Sequence, residues 1–149
     1  MITKNQQAVI NQAIQIIEST YHREALHISG ADSVKAFCQL QIAYSQHEVF
    51  AVLFLDSSHR LIAFEKMFNG TIDGASVYPR EVARSALKHN AAAVILTHNH
   101  PSGTIEPSQA DMRITERLAN CLELFDIRVL DHIVVSQIGT LSFAQHGLL

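Results

Sequence analysis

Between residues 49 and 55 the chain runs Val-Phe-Ala-Val-Leu-Phe-Leu without one polar side chain. Its length and aromatic content favour a strand buried on both faces. Such a strand needs cover on each side, which points to a sheet flanked by helices. The neighbouring sequence supplies those elements. Asp56 to His59 reads as a turn, and Arg60 to Phe68 as the partner strand of a hairpin. Gly70 and Gly74 then mark a loop.

The first 20 residues read as an amphipathic helix, with Ala8, Val9, Ala13, Ile14, Ile16 and Ile17 at helical spacing. A second helix is expected after Asp32 as N-cap, through Val34, Phe37, Cys38 and Ile42. Pro79 suits the first turn of a third, running through Val82, Ala83, Ala86 and Leu87 to about Asn90. Ala91 to Thr97 is read as a buried strand, because Val94-Ile95-Leu96 leads straight into a Pro/Gly loop. That loop spans Asn99 to Pro107. A helix starts at Ser108, with Met112, Thr115, Leu118, Leu122 and Phe125 on one face. Ile127 to Val135 is a strand and Thr140 to Phe143 offers another. The order describes an α/β (α+β) domain, a mixed sheet flanked by helices. Its organisation is read as residues 1–45, a helical segment packed on the core, and residues 46–149, the main domain, within one structural unit.

Composition narrows the function classes. The 149 residues are 48% apolar and 17% charged, enough for one packed core and too little charge for long disorder. A net charge of −3 without a basic stripe gives no electrostatic footprint for a nucleic-acid backbone. No stretch approaches the roughly 18 apolar residues of a membrane span, and Met1-Ile-Thr-Lys-Asn-Gln-Gln has no signal-peptide character. Cys38 and Cys121 lie far apart in helical patterns and read as reduced thiols. A cytoplasmic protein is expected, without thiolate zinc of the finger type. No heptad or interface stripe speaks to oligomeric state.

The chemistry-bearing segment is Thr97 to Asp111. His98 and His100 leave a strand end two residues apart, so their rings project to the same side. With Ser108 as N-cap, Asp111 is the third helical residue, and the intervening Pro/Gly loop can fold that helix start against the histidines. Two imidazoles and one carboxylate leave a fourth position for water, as catalytic zinc requires. Blander readings exist for each part. His-x-His recurs by chance, and Ser108 to Asp111 is also an ordinary capping box. Glu106 stands too far along to complete a cupin pattern and reads as an exposed loop acid. His22, His27, His59, His89 and His146 show no ligand spacing and default to the surface.

The string resembles the JAMM motif of JAB/MPN metalloproteins: a distant Glu, His-x-His, seven residues, Ser, two residues, Asp. The words Tyr78-Pro-Arg-Glu-Val82, His98-Asn-His-Pro-Ser-Gly103, Pro107-Ser108 and Asp131-His132 are similar to the RadC branch, over roughly Glu48 to Val135. The resemblance implies a JAB/MPN fold, a three-layer arrangement like that of cytidine deaminases. It implies Zn2+ on His98, His100 and Asp111, Glu48 as general base toward the attacking water, and Ser108 as hydrogen-bond donor to the substrate oxyanion. Asp131 and His132 become candidates for supporting the zinc histidines, with a buried structural pair as the alternative. Glu81 of the Pro-Arg-Glu word is explained equally well as an acid in a first helical turn.

Three functions follow as expectations. The first is a zinc hydrolase, of metallopeptidase or isopeptidase type, acting on a peptide or protein substrate. The second is a DNA-repair or mobile-element accessory factor, because RadC-type proteins carry that label. Longer members place a helix-hairpin-helix module ahead of the domain, and no such hairpin stands in these residues. The third is a metal-free interaction module. Substrate choice would rest with loops such as Phe68 to Val77.

Overall fold

The computed structural model describes residues 2–21, 30–70 and 77–149. His22, His27 and the Gly74 part of the expected loop lie outside the described residues. In chain order the elements are α1 (Lys4–Tyr21), α2 (Ala31–Ile42), β1 (Val49–Leu55), β2 (Leu61–Asn69), α3 (Pro79–Lys88), β3 (Ala93–Asn99), α4 (Gln109–Glu123), β4 (Arg128–Val135) and β5 (Thr140–Ser142). A short 3-10 turn, Ala144–His146, follows.

The strands form one mixed sheet in the order β2-β1-β3-β4-β5. β1 is antiparallel to both β2 and β3, β3 is parallel to β4, and β5 returns antiparallel. All seven residues of β1 are buried, as are all seven of β3. Alternation along the strands divides the core in two. Phe50, Val52, Phe54, Val94 and Leu96 pack under Val82 and Ala86 of α3 and Ile114, Leu118 and Leu122 of α4. Val49, Leu53, Leu55, Ala93 and Ile95 pack under Val34, Phe37, Cys38 and Ile42 of α2. The result is a three-layer α/β/α arrangement. Among the described residues no helix is long and apolar enough to cross a membrane.

Several local expectations need correction. The N-cap of α2 is Gly30, and Asp32 lies inside the first turn, where it favours the helix through the dipole and pairs with Lys35 at 3.7 Å. The inner face of α4 runs Asp111, Ile114, Thr115, Leu118, Leu122. Met112 and Phe125 are exposed instead, because a stripe at i, i+3, i+4 and i+7 from Asp111 excludes position 112, and Phe125 lies past the helix end. His89 is not a plain surface residue: it pairs with Glu65 and its ring lies 4.9 Å from that of Phe54.

One irregularity decides the face of two polar residues. The β3–β4 register slips between Val94 and Ile95, so Val94 pairs with Val129 but Ile95 pairs with Asp131. Leu130 and Asp131 therefore do not alternate normally, and every residue from 131 onward changes face relative to a regular strand. His132 consequently sits opposite Leu96, on the α4 side. Asp131 shares its side with Ile133 and the α2 layer.

Both cysteines are free. Cys38 is fully buried, and burial pushes its thiol up to about 12, so it stays protonated and inert. The α4 assignment predicts that Leu118→Ala lowers stability by about 3 kcal/mol, the cost of a large-to-small change in a packed core. Met112→Ala should cost less than about 1 kcal/mol. Urea unfolding of the two variants beside wild type measures the difference.

Candidate metal centre

His98 and His100 stand at and just after the end of β3, and Asp111 stands in the first turn of α4. His98 has no solvent exposure, Asp111 is 1% exposed and His100 is 9% exposed. A complete capping box sets the carboxylate. The Asp111 N–H donates to Ser108 Oγ at 3.1 Å, and the Ser108 N–H donates to Asp111 Oδ2 at 2.7 Å. The helix start thus does two jobs, satisfying orphan backbone groups and aiming a carboxylate at the imidazoles.

His98 Nε2 lies 3.3 Å from Asp111 Oδ1, His100 Nε2 lies 3.4 Å from Asp111 Oδ2, and the two Nε2 atoms are 2.8 Å apart. Each residue offers one ligand atom, all within 4.8 Å of one another. A tetrahedral zinc with bonds of about 2.0–2.1 Å would set its ligand atoms roughly 3.3–3.5 Å apart, close to the carboxylate–imidazole separations. Donor chemistry agrees. His100 Nδ1 faces the Thr104 carbonyl oxygen at 3.1 Å, which can only accept, so Nδ1 carries a proton and Nε2 faces Asp111 and His98, donating to them when the ring is charged and offering a lone pair to a metal when it is neutral. These residues fit a divalent cation of the zinc class.

The electrostatics are those of a ligand set. Burial opposes charge on Asp111, but the imidazoles of His100 and His98 beside it hold its carboxyl far below the usual range. The hydrogen bond to Asp111 raises His100 above the ordinary imidazole value. His98 moves the other way, because complete burial outweighs the same carboxylate. The rings are confined by aromatic walls: Phe50 stacks near His98 at 6.4 Å, and Phe143 lies 4.7 Å from His132.

Glu48 is half-buried just before β1, and its charge is felt by both His98 and His100. Its backbone is held on either side by Asn99, a buried residue that sequence reasoning passed over. Asn99 Oδ1 accepts the Val49 N–H at 2.7 Å, while Nδ2 donates to the carbonyls of His47 at 3.1 Å and Ser45 at 3.4 Å. The available signal was an amide between two histidines, on the opposite face of the same strand end. Ser108 is exposed and beside Asp111.

Of the Asp131-His132 pair, only His132 meets the histidines, with its Nε2 2.8 Å from His98 Nδ1. Asp131 accepts from the His132 N–H at 2.7 Å, from Ser142 Oγ at 2.5 Å and from the Ala144 N–H at 2.9 Å, tying β5 and the 3-10 turn to β4. Thr115 is a second residue whose role was missed. Its hydroxyl lies 2.5 Å from His132 Nδ1, although the sequence marked it only as part of an apolar stripe. Glu106 is exposed, as the spacing implied.

The raised proton affinity of His100 has a consequence for pH. A zinc ion bound there would have to displace a proton that Asp111 helps retain, so apparent zinc affinity should fall as pH is lowered from about 8 toward about 6, beginning above the ordinary imidazole range. In Asp111→Asn the retained proton is released more easily, and the onset of proton competition should move to lower pH while affinity drops at every pH. Chelator competition across a pH series measures both effects.

The comparisons with known proteins agree with this geometry. A model of the RadC-like JAB domain matches residues 28–148. A UPF0758 protein of Vibrio cholerae serotype O1 is 52% identical over 95% of this chain and 88% of its own length. A UPF0758 protein of Marinomonas sp. strain MWYL1 is 50% identical over 95% of this chain, which covers 63% of that relative. A UPF0758 protein of Methylibium petroleiphilum is 60% identical over 78% of this chain and 53% of its own length. The chain therefore spans between about half and two thirds of the length of the latter two. On the extent of the family match and these identities, the chain belongs to the RadC-like JAB domain family.

Proposed function

We propose that this chain is a zinc-dependent hydrolase that cleaves an amide or isopeptide bond in a peptide or protein substrate. The observation that supports it best is the convergence of His98, His100 and Asp111 within 4.8 Å, with the Glu48 carboxylate close enough to act on both imidazoles. His98, His100 and Asp111 would hold the metal. When bound, zinc supplies Lewis acidity, polarising a carbonyl and making water acidic enough to attack at neutral pH. The Glu48 carboxylate would take the proton from the attacking water and pass it to the leaving amine. Ser108 Oγ accepts from the Asp111 backbone and keeps its own hydrogen, which it would donate to the oxyanion forming on the substrate carbonyl. The buried, aromatic-walled floor keeps bulk water from screening these charges. Two free thiols suit a reducing, cytoplasmic setting.

Elemental analysis of purified wild type should find about one zinc per chain, and His98→Ala should lose it. Glu48→Gln should retain the zinc while turnover of a peptide or isopeptide substrate falls by at least about 100-fold, the lower range for loss of a general base. Equal turnover in Glu48→Gln would sink the hydrolytic reading. Absence of zinc from wild type supplied with the metal would sink the whole assignment in favour of an interaction module.

A further inference from the structure

A chain of short contacts runs behind the metal centre and returns to it. His98 Nδ1 and His132 Nε2 are 2.8 Å apart, His132 Nδ1 and Thr115 Oγ1 are 2.5 Å apart, and Thr115 Oγ1 donates to the Asp111 carbonyl oxygen at 2.6 Å. The chain therefore joins two of the three metal-facing residues through β4 and α4. All four side chains are at most 2% exposed, so no solvent can repair a mismatched donor or acceptor.

Along the contacts from the Asp111 carbonyl to His98 Nδ1, the proton count leaves one arrangement. Thr115 has a single hydroxyl hydrogen, and the Asp111 carbonyl can only accept, so that hydrogen goes to Asp111. Thr115 Oγ1 must then accept from His132, which places the His132 proton on Nδ1 and makes its Nε2 an acceptor. His98 must in turn donate from Nδ1, which strips Nε2 of its proton and turns that lone pair toward Asp111 and His100. In the reversed arrangement Thr115 would donate to His132, and two acceptor oxygens would face each other at 2.6 Å without a hydrogen between them. His132 has no solvent exposure, so a doubly protonated ring would hold its charge away from water. A threonine bonding back to the fourth preceding carbonyl is ordinary in helices. Here the same oxygen is shared with a buried imidazole, and that sharing sets a direction.

We infer that Thr115 and His132 are positioning residues that lock His98 in the Nδ1–H tautomer, so that its Nε2 is ready to ligate before any metal arrives. The inference rests on the metal-holding part of the proposed function and is independent of hydrolysis. Both residues act through His98, and neither touches substrate.

Two measurements test it. Long-range proton–nitrogen NMR of the metal-free protein should show His98 protonated at Nδ1 and bare at Nε2 in wild type. Thr115→Val keeps the shape but removes the hydroxyl, so it should lose that tautomer preference and weaken zinc binding about 10- to 100-fold by chelator competition, the range found for partners of metal-bound histidines. Thr115→Ser, which restores the hydroxyl, should recover wild-type affinity. His132→Gln, whose amide oxygen can accept from His98, should retain more affinity than His132→Leu. An Nε2–H tautomer of His98 in wild type overturns the inference, as does a folded Thr115→Val that binds zinc within about twofold of wild type. Should wild type bind no zinc, the metal reading falls, and the tautomer measurement still decides the hydrogen-bond chain.

Discussion

An imidazole removed completely from water must have both ring nitrogens engaged, or its desolvation goes uncompensated. His98 is in that position, fully buried at the end of the central strand β3. One nitrogen meets His132 and the other meets His100 and Asp111. Much of the architecture can be read as support for this residue. β1 and β4 flank it in the sheet, placing Phe50 and His132 against its ring. The α3 and α4 layer closes that face of the sheet.

The local chemistry of the helix start and the chemistry of the site are the same interactions. A capping box requires a hydroxyl at the N-cap and an acceptor at the third helical residue. Ser108 and Asp111 meet that requirement, and in doing so they fix the carboxylate beside two imidazoles. Sites built on element ends are held by backbone hydrogen bonds rather than by flexible loops. Asn99 does the equivalent at the other side, pinning the backbone around Glu48 from the strand that carries the histidines. Five candidate functional groups, Glu48, His98, His100, Ser108 and Asp111, are thus positioned at the ends of two strands and one helix.

Some of this was legible from residue order alone. The unbroken apolar run of β1 required cover on both faces, and α2 on one side with α3 and α4 on the other provides it. The spacing of His98, His100, Ser108 and Asp111 contained its own geometry, because strand alternation and the first helical turn are local rules. Other features were hidden. Ile114 rather than Met112 faces inward because the phase of α4 is set by where Asp111 must point. His89 is held by Glu65, a residue 24 positions earlier on β2. Thr115 looked like one more position in an apolar stripe until His132 arrived beside it.

Asp131 and His132 mark the dividing line. Residue order presented two adjacent polar side chains on a strand, which by alternation must point opposite ways, and said that one of them could meet the site. Which one depended on the register slip between β3 and β4. A bulge arises from pairing between strands more than 30 residues apart, and no local pattern encodes it. The amino-acid sequence by itself determined the layered fold and singled out His98, His100 and Asp111, with the strand and helix that carry them, as a candidate set. The tertiary structure alone decided that His132 faces His98, that Asp131 braces β5, and that Thr115 and Asn99 hold the candidate site from behind. The physical reason is range: periodicity and capping act over a few residues, whereas the partners of a buried polar group come from wherever the sheet brings them.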